Sequence, residues 1–302
     1  MIRLKIIFIP YQGKRDVLWG ADFMMHNIMK YIDKEYKIIP SWDFHKGNFS
    51  DADIVHLHNM AYTAVDKSWI FGYNSKIKEF IKKTDRPRFI GGIRGYMGLE
   101  RGKKFIKYFD AIHVGSSHLK EEVEKYHNKI FVCNAGIDAD LFKPMNIKQK
   151  EFSICWAGDP KKTTKNFNLL TKLGFPLKTA TKQNYITHEE MPLFYNSASI
   201  YVNLSSQEGF CRPIVEAAAC GLPVISTNTG IARELLQSEW IINGDPKNTK
   251  ILKEFRKKIL ILKNDNFLRE KVGNINRISS LKWSWPKIVK QFEIMFEQVI
   301  KF

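Results

Sequence analysis

Two α/β domains, each a parallel sheet flanked by helices, are what this sequence predicts, and three observations predict it. Short apolar runs of strand length alternate with helical patterns along the chain, the rhythm of parallel strands joined through crossover helices. That rhythm breaks at a polar, proline-containing stretch, 142–150, and restarts at 152. The chain has 302 residues, 44% of them hydrophobic, which is enough for two cores of about 150 residues each.

The elements follow in order. Residues 6–9 read as a first strand, and 21–32 as an amphipathic helix with apolar residues at helical spacing. Residues 54–57, 88–93, 111–114 and 129–133 read as further strands. The stretch 142–150 reads as the interdomain linker, which gives a first domain over 1–145. A second domain over 151–282 opens with the strand 152–158, and 199–204 is a buried strand within it. Residues 213–220 suit a helix, with Pro213 early, alanines inside and Gly221 at the exit, and 222–226 starts the next strand. The tail 283–302 is a capped amphipathic helix.

The most informative segment is Glu208-Gly-Phe-Cys-Arg-Pro-Ile-Val-Glu216, which sets two carboxylates eight residues apart across a strand-to-helix turn. Glu208 lies in the loop at the carboxyl end of a strand, the edge at which open α/β sheets bind ligands. Glu216 lies about one turn into the helix. A helix start presents unpaired N–H groups and positive dipole density, which suit a phosphate.

This segment resembles the E-x7-E signature of retaining glycosyltransferases of the GT-B fold, especially the large family 4. Further stretches resemble that family in its own order: 51–58 and 110–117 as strands of the first domain, Cys133-Asn-Ala-Gly136-Ile-Asp138 with Phe142 and Pro144 at its end, and 228–235 as the glycine-containing loop and helix after the signature. The resemblance runs from about residue 50 to residue 285. It implies two Rossmann-like domains with a donor cleft between them, and a C-terminal helix that packs back toward the first domain. The activity implied is retaining transfer of a hexosyl or related group from a nucleotide diphosphate sugar to an acceptor hydroxyl, on a glycan, a lipid-linked acceptor or another molecule. No cofactor and no metal are implied.

Residue by residue, the resemblance implies Glu208 as the carboxylate beside the sugar and Glu216 as the ribose ligand. Lys165 matches the lysine of the family's phosphate loop, but Asp159 stands where an arginine would follow the glycine at 158. Lys162, Lys161 or Arg212 is then left to supply the second charge. Backbone N–H groups of Gly209, Phe210 and Cys211 are the expected cradle for phosphate or sugar. Gly20 resembles the glycine of the loop before the first helix. Arg94 stands where many members have a histidine facing the donor sugar; a guanidinium cannot act as a base at neutral pH, so binding of an anionic group is the role open to it. His56, His58 and His113 lie on strands and read as satisfied structural histidines. Asp51-Ala-Asp53 and Asp138-Ala-Asp140 are weak look-alikes of a metal motif and read as strand and turn caps.

Three other readings compete: a DNA-modifying glycosyltransferase, a nucleotide-sugar epimerase of the same fold, and a non-catalytic nucleotide-sugar binding protein. Net charge is +17, with 25 Lys+Arg against 17 Asp+Glu over 1–148 and 23 against 14 over 149–302. Both halves are basic, which fits an anionic substrate or membrane surface, leaves nucleic acid open as a partner, and also fits plain compositional bias. The densest patch is Arg101, Lys103, Lys104 and Lys107. Cysteines 133, 155, 211 and 220 lack metal or redox spacing, so a reducing cytoplasmic location is expected, with peripheral membrane association through the basic surface as an extension. No apolar run reaches the roughly 20 residues that cross a bilayer.

Overall fold

A computed structural model describes residues 4–9, 20–33, 36–40, 49, 51–59, 86–147 and 151–301. They form two compact units, Met1–Gly136 with Trp285–Phe302, and Ile137–Ser284.

The first unit is built on a parallel sheet of β1 (Lys5–Ile9), β2 (Lys37–Pro40), β3 (Ile54–Leu57), β4 (Arg88–Ile93), β5 (Ala111–Val114) and β6 (Ile130–Val132), in the order β2-β1-β3-β4-β5-β6. β3 and β5 are buried on both faces, which is why they read as unbroken apolar runs rather than alternating ones. On one face Val55, Leu57, Ile112 and Val114 pack with Leu99, Ile106, Leu119 and Val123. These last come from helix α2 (Tyr96–Gly102), a 3-10 turn and helix α3 (Ser117–Val123), the latter capped by Ser116 Oγ accepting from Leu119 N. Helix α1 (Gly20–Tyr31) also belongs to this unit. Gly20 opens that helix rather than lying in the loop before it, and residues 10–19 lie outside the described part of the chain.

Helix α9 (Trp285–Val299) completes the first unit. Trp285, Ile288, Val289, Phe292, Met295, Phe296 and Val299 recur at helical spacing and are all buried. Each large side chain so buried contributes about 1.5–3 kcal/mol. Glu293 accepts from Asp33 N at 2.9 Å, and Glu297 accepts from Tyr36 Oη at 2.8 Å.

The second unit holds β7 (Ile154–Ala157), β8 (Leu177–Ala180), β9 (Ile200–Asn203), β10 (Val224–Thr227) and β11 (Ile241–Ile242), all parallel, in the order β11-β10-β9-β7-β8. Around it run α4 (Met191–Asn196), α5 (Arg212–Ala219), α6 (Ala232–Leu235), α7 (Thr249–Asn264) and α8 (Asn266–Ser280). Asn248 and Asp265 cap α7 and α8 through their side chains.

The expected linker at 142–150 differs from what is found. Residues 137–147 pack within the second unit, and 148–150 lie outside the described residues. The cause is specific anchoring. Phe142 is fully buried, and Arg277 of α8 donates to Phe142 O at 2.7 Å and to Ala139 O at 3.1 Å. Asn196 ties down both Lys143 and Met145. Pro144 in a polar stretch reads as linker, but its neighbours are held by side chains distant in sequence.

Candidate functional site

The loops at the carboxyl ends of β7 and β9 in the second unit carry Lys165 and Glu208. After β7 the chain does not enter an α-helix at once. It makes three successive 3-10 turns, Thr163–Lys165, Phe167–Leu169 and Thr171–Leu173. Asn166 interrupts them with a left-handed backbone, φ 48°, and its buried amide donates to Leu204 O at 2.8 Å. Asn is among the few non-glycine residues that adopt this conformation readily. Ser206 N bonds Thr164 O at 2.8 Å. The loop after β7 is thereby fastened to the loop after β9.

That fastening brings Lys165 and Glu208 together. Lys165 Nζ lies 2.5 Å from Glu208 Oε1, with the side chains only 16% and 10% exposed. Burial opposes the charge on Lys165, yet its pKa stays above the ordinary lysine value because anionic partners outweigh burial. Of those partners, Cys211 would act as a thiolate, and burial with the nearby Glu208 charge pushes its own pKa far up. The Glu208 carboxylate is therefore the anion that holds Lys165 charged at neutral pH.

Beneath this pair lies a buried polar network. Asn203 Nδ2 donates to Ser226 Oγ at 3.0 Å, Ser205 Oγ donates to Asn203 Oδ1 at 2.8 Å, and Thr227 Oγ1 donates to Ser205 O at 2.5 Å. The loop after β10 closes against the 208–211 segment, with Ile231 N bonding Phe210 O at 2.9 Å. Gly230 makes that approach at φ 57°, and a Cβ there would stand 2.5 Å from Phe210 O and 3.0 Å from Glu208 Cβ. Only glycine fits this position without displacing the site.

Helix α5 starts from Cys211, which is left-handed at φ 71°, and carries Pro213 near its start. Pro213 lacks only an N–H that the first turn leaves unpaired. Glu216, buried, is the fifth residue of the helix. Its Oε2 accepts from Tyr195 Oη at 2.8 Å and its Oε1 from Arg212 Nη2 at 3.0 Å. A carboxylate has about four acceptor positions, so these two bonds leave capacity for a ligand's hydroxyls. Burial and the Glu216 charge push the Tyr195 phenol well above its usual pKa, which keeps it a donor. Nothing in the spacing of the sequence points to Tyr195, which lies 21 positions upstream in α4.

The other predicted residues fall as follows. Gly209, Phe210 and Cys211 are buried and form the turn into α5. Lys162 and Lys161 are exposed. Asp159, at the position of the missing arginine, accepts from Lys161 N at 3.1 Å and lies 3.8 Å from Lys182 Nζ, so it shapes the loop and is partly neutralised. Arg212, which is bonded to Glu216, supplies a cation at the head of α5. Arg94 belongs to the first unit, where its Nη1 donates to Cys133 O at 3.0 Å. Asp53 accepts from Lys5 N at 2.6 Å, and Asp138 accepts from Asp140 N and Leu141 N; both act as strand or turn caps. Arg101, Lys103, Lys104 and Lys107 are all exposed, and Lys103 is paired with Glu100 at 2.7 Å.

The three strand histidines are not satisfied as expected. His56, His58 and His113 are at most 1% exposed, and among the described residues there is no hydrogen-bond partner for either nitrogen of His56 or His113 or for Nδ1 of His58.

Comparison with known proteins bears on this arrangement. Residues 139–278 match the family described as Glycosyl transferases group 1. A phosphatidylinositol N-acetylglucosaminyltransferase subunit of Arabidopsis thaliana is 30% identical over 116 residues, 38% of this chain and 25% of that protein. The chain thus spans only a quarter of that relative's length. A probable sucrose-phosphate synthase of Thermosipho melanesiensis is 25% identical over 351 residues, 98% of this chain and 79% of the relative. The structure of HepE from Anabaena, in complex with UDP and glucose, overlays with a TM-score of 0.70 at 13% identity, covering 98% of this chain and 100% of that one.

The chain has the GT-B fold, two parallel-sheet α/β units, with a carboxylate–lysine pair on the second. Its second unit carries a Glycosyl transferases group 1 domain over residues 139–278. Neither relative is named as an epimerase, a DNA-modifying enzyme or a binding protein without catalysis.

Proposed function

We propose that the chain is a retaining glycosyltransferase that uses a nucleoside diphosphate sugar and transfers the sugar to an acceptor hydroxyl. The observation that carries this is the Lys165–Glu208 pair set against the head of α5, one turn from the doubly held Glu216. In this reading the donor's diphosphate takes Lys165 as its counter-ion, alongside the N–H groups at the start of α5 and the Arg212 guanidinium. Helix-terminal N–H groups and a cation stabilise the negative charge that grows on the leaving diphosphate. Glu216 accepts from the ribose hydroxyls, and Glu208, released from Lys165, supports the sugar.

The bond from the anomeric carbon to the diphosphate oxygen breaks. A bond from that carbon to the acceptor oxygen forms on the same face, and the acceptor's proton passes to the departing diphosphate. No side chain needs to become a covalent nucleophile. Lysine and arginine take the place a divalent cation holds in metal-dependent transferases, and no cofactor takes part. The solved relative bound to UDP and glucose supports a uridine diphosphate sugar as the first donor to try. The first relative's name, with phosphatidylinositol as its acceptor, supports a lipid-linked acceptor at a membrane surface. No described helix is long and apolar enough to cross a membrane.

A thermal-shift screen of nucleoside diphosphate sugars tests the donor, since a ligand that binds only the folded state raises its melting temperature by mass action. A rise with at least one such donor, unchanged by Mg²⁺, is expected. Transfer products with the anomeric configuration of the donor, read by NMR, establish retention. An inverted product, or no stabilisation by any donor, overturns the proposal.

A further inference from the structure

A histidine cluster belongs to the first unit, whereas the residues that would hold the donor's diphosphate and ribose belong to the second. His56 is on β3, His58 just after it, and His113 on β5. β4 runs between these strands and places Gly92 opposite His113. A Cβ at Gly92 would stand 2.0 Å from His58 O and 2.5 Å from His113 Nε2. The missing side chain is what lets imidazoles from two non-adjacent strands meet. Their ring centroids lie 4.7 Å (His56–His113), 5.7 Å (His58–His113) and 6.1 Å (His56–His58) apart. Phe8 of β1 and Phe292 and Phe296 of α9 close the surroundings.

A neutral imidazole carries one donor and one acceptor, and buried polar atoms in folded proteins nearly always have partners. Three histidines, five of whose six ring nitrogens have no hydrogen-bond partner among the described residues, in one buried cluster, need an occupant that bonds to nitrogen. We propose that His56, His58 and His113 bind one transition-metal ion of the class imidazole prefers, copper or zinc, which ties β3 to β5 beneath α9.

The geometry fits this class. One ring nitrogen from each histidine lies within 4.8 Å of the others. Trigonal coordination at about 2.0 Å sets ligand nitrogens about 3.5 Å apart, so each nitrogen moves by less than about 1 Å to close on an ion. The ligands are in the right form: burial, assisted by Arg94, pushes the His56 pKa down to about 3 and those of His58 and His113 well below the usual value, and neutral imidazole is the ligating species. Among the described residues the cluster contains no carboxylate or thiolate, and Arg94 adds positive potential. A monovalent cuprous ion therefore costs least to bury, and a divalent zinc ion more. The role is structural, since the three histidines are at most 1% exposed.

The test uses the full chain. It is unfolded in guanidinium with a chelator, exchanged, and refolded with stoichiometric Cu⁺ under a reductant, with Zn²⁺, or with neither. Metal content is read by mass spectrometry and the melting temperature by calorimetry. About one ion per chain that survives gel filtration, with a melting temperature raised by at least about 3 °C, is expected. His113→Phe and His56→Gln should each lose that ion. Should either variant fail to fold, metal content and melting temperature of the parent decide alone. Less than about a tenth of an ion per chain in both metal arms, with an unchanged melting temperature, or an ion retained in folded variants, overturns the site.

Discussion

Tyr195 Oη and Glu216 Oε2 are 2.8 Å apart, both side chains buried. A phenol from α4 thus fixes one oxygen of the α5 carboxylate while Arg212 fixes the other. Glu216 is pre-oriented before any ligand arrives, so little ordering remains to be done on binding.

Glu216→Ala is expected to weaken UDP binding by about 10- to 150-fold, the equivalent of about 1.5–3 kcal/mol for lost bonds to a charged acceptor. Tyr195→Phe, which keeps the carboxylate and removes one clamp, should cost less than about tenfold. Isothermal calorimetry checks both. Equal affinity of Glu216→Ala and parent removes the carboxylate from the nucleoside site.

Lys165→Ala should separate phosphate from nucleoside recognition. UDP affinity is expected to fall by about tenfold or more, and transfer by about 10²–10³-fold, as when one donor to a developing charge is deleted, while uridine affinity stays within about twofold of the parent. The variant also leaves the mostly buried Glu208 without its cation. Lys165→Arg keeps the charge and should recover part of the loss. A uniform loss of uridine and UDP binding would mean the lysine only supports the fold.

Gly230→Ala should damage the site without touching a ligand. A left-handed non-glycine residue costs about 1–2 kcal/mol, and the new Cβ would collide with Phe210 O. The melting temperature should drop, and kcat/KM should fall further than Tm alone explains, because Glu208 moves with Phe210. Wild-type kinetics in the alanine variant would show that the loop tolerates displacement.

Neutralising Arg101, Lys103, Lys104 and Lys107 tests a surface role for the basic charge. Each lysine near an anionic membrane contributes about 1 kcal/mol. Lys103 counts least, since Glu100 already pairs with it. The quadruple variant should bind vesicles containing phosphatidylserine more weakly than the parent, with unchanged UDP affinity. Equal vesicle binding makes the patch a solvated face, and steeply salt-dependent binding of the parent to duplex DNA would shift the partner to nucleic acid.

Much of the donor side is legible in the sequence because it is local. The nine residues from Glu208 to Glu216 announce strand end, turn and helix through Gly209, Pro213 and their order. Buried parallel strands such as β3, β5 and β9 announce themselves as apolar runs. β2, β8 and β11 do not: the two isoleucines of β2 sit between Lys37 and Pro40, β8 has Lys178 and Thr179 at its centre, and β11 is only two residues long. Tyr195, the Asn203 network and the Arg277 anchor are set by contacts between residues 21 to 138 positions apart, which no local pattern encodes. The linker reading fails at Phe142 for that reason, and the turns after β7 are likewise set at a distance, with left-handed Asn166 reaching Leu204 O.

Helix α9 has a consequence for how the protein is made. The first unit is interrupted by the whole of the second and is finished only when residues 285–299 leave the ribosome. Until then its sheet lacks Phe292, Phe296 and Val299, while the second unit already has all its residues. The later-encoded unit can thus close first, while the earlier one is complete only with α9.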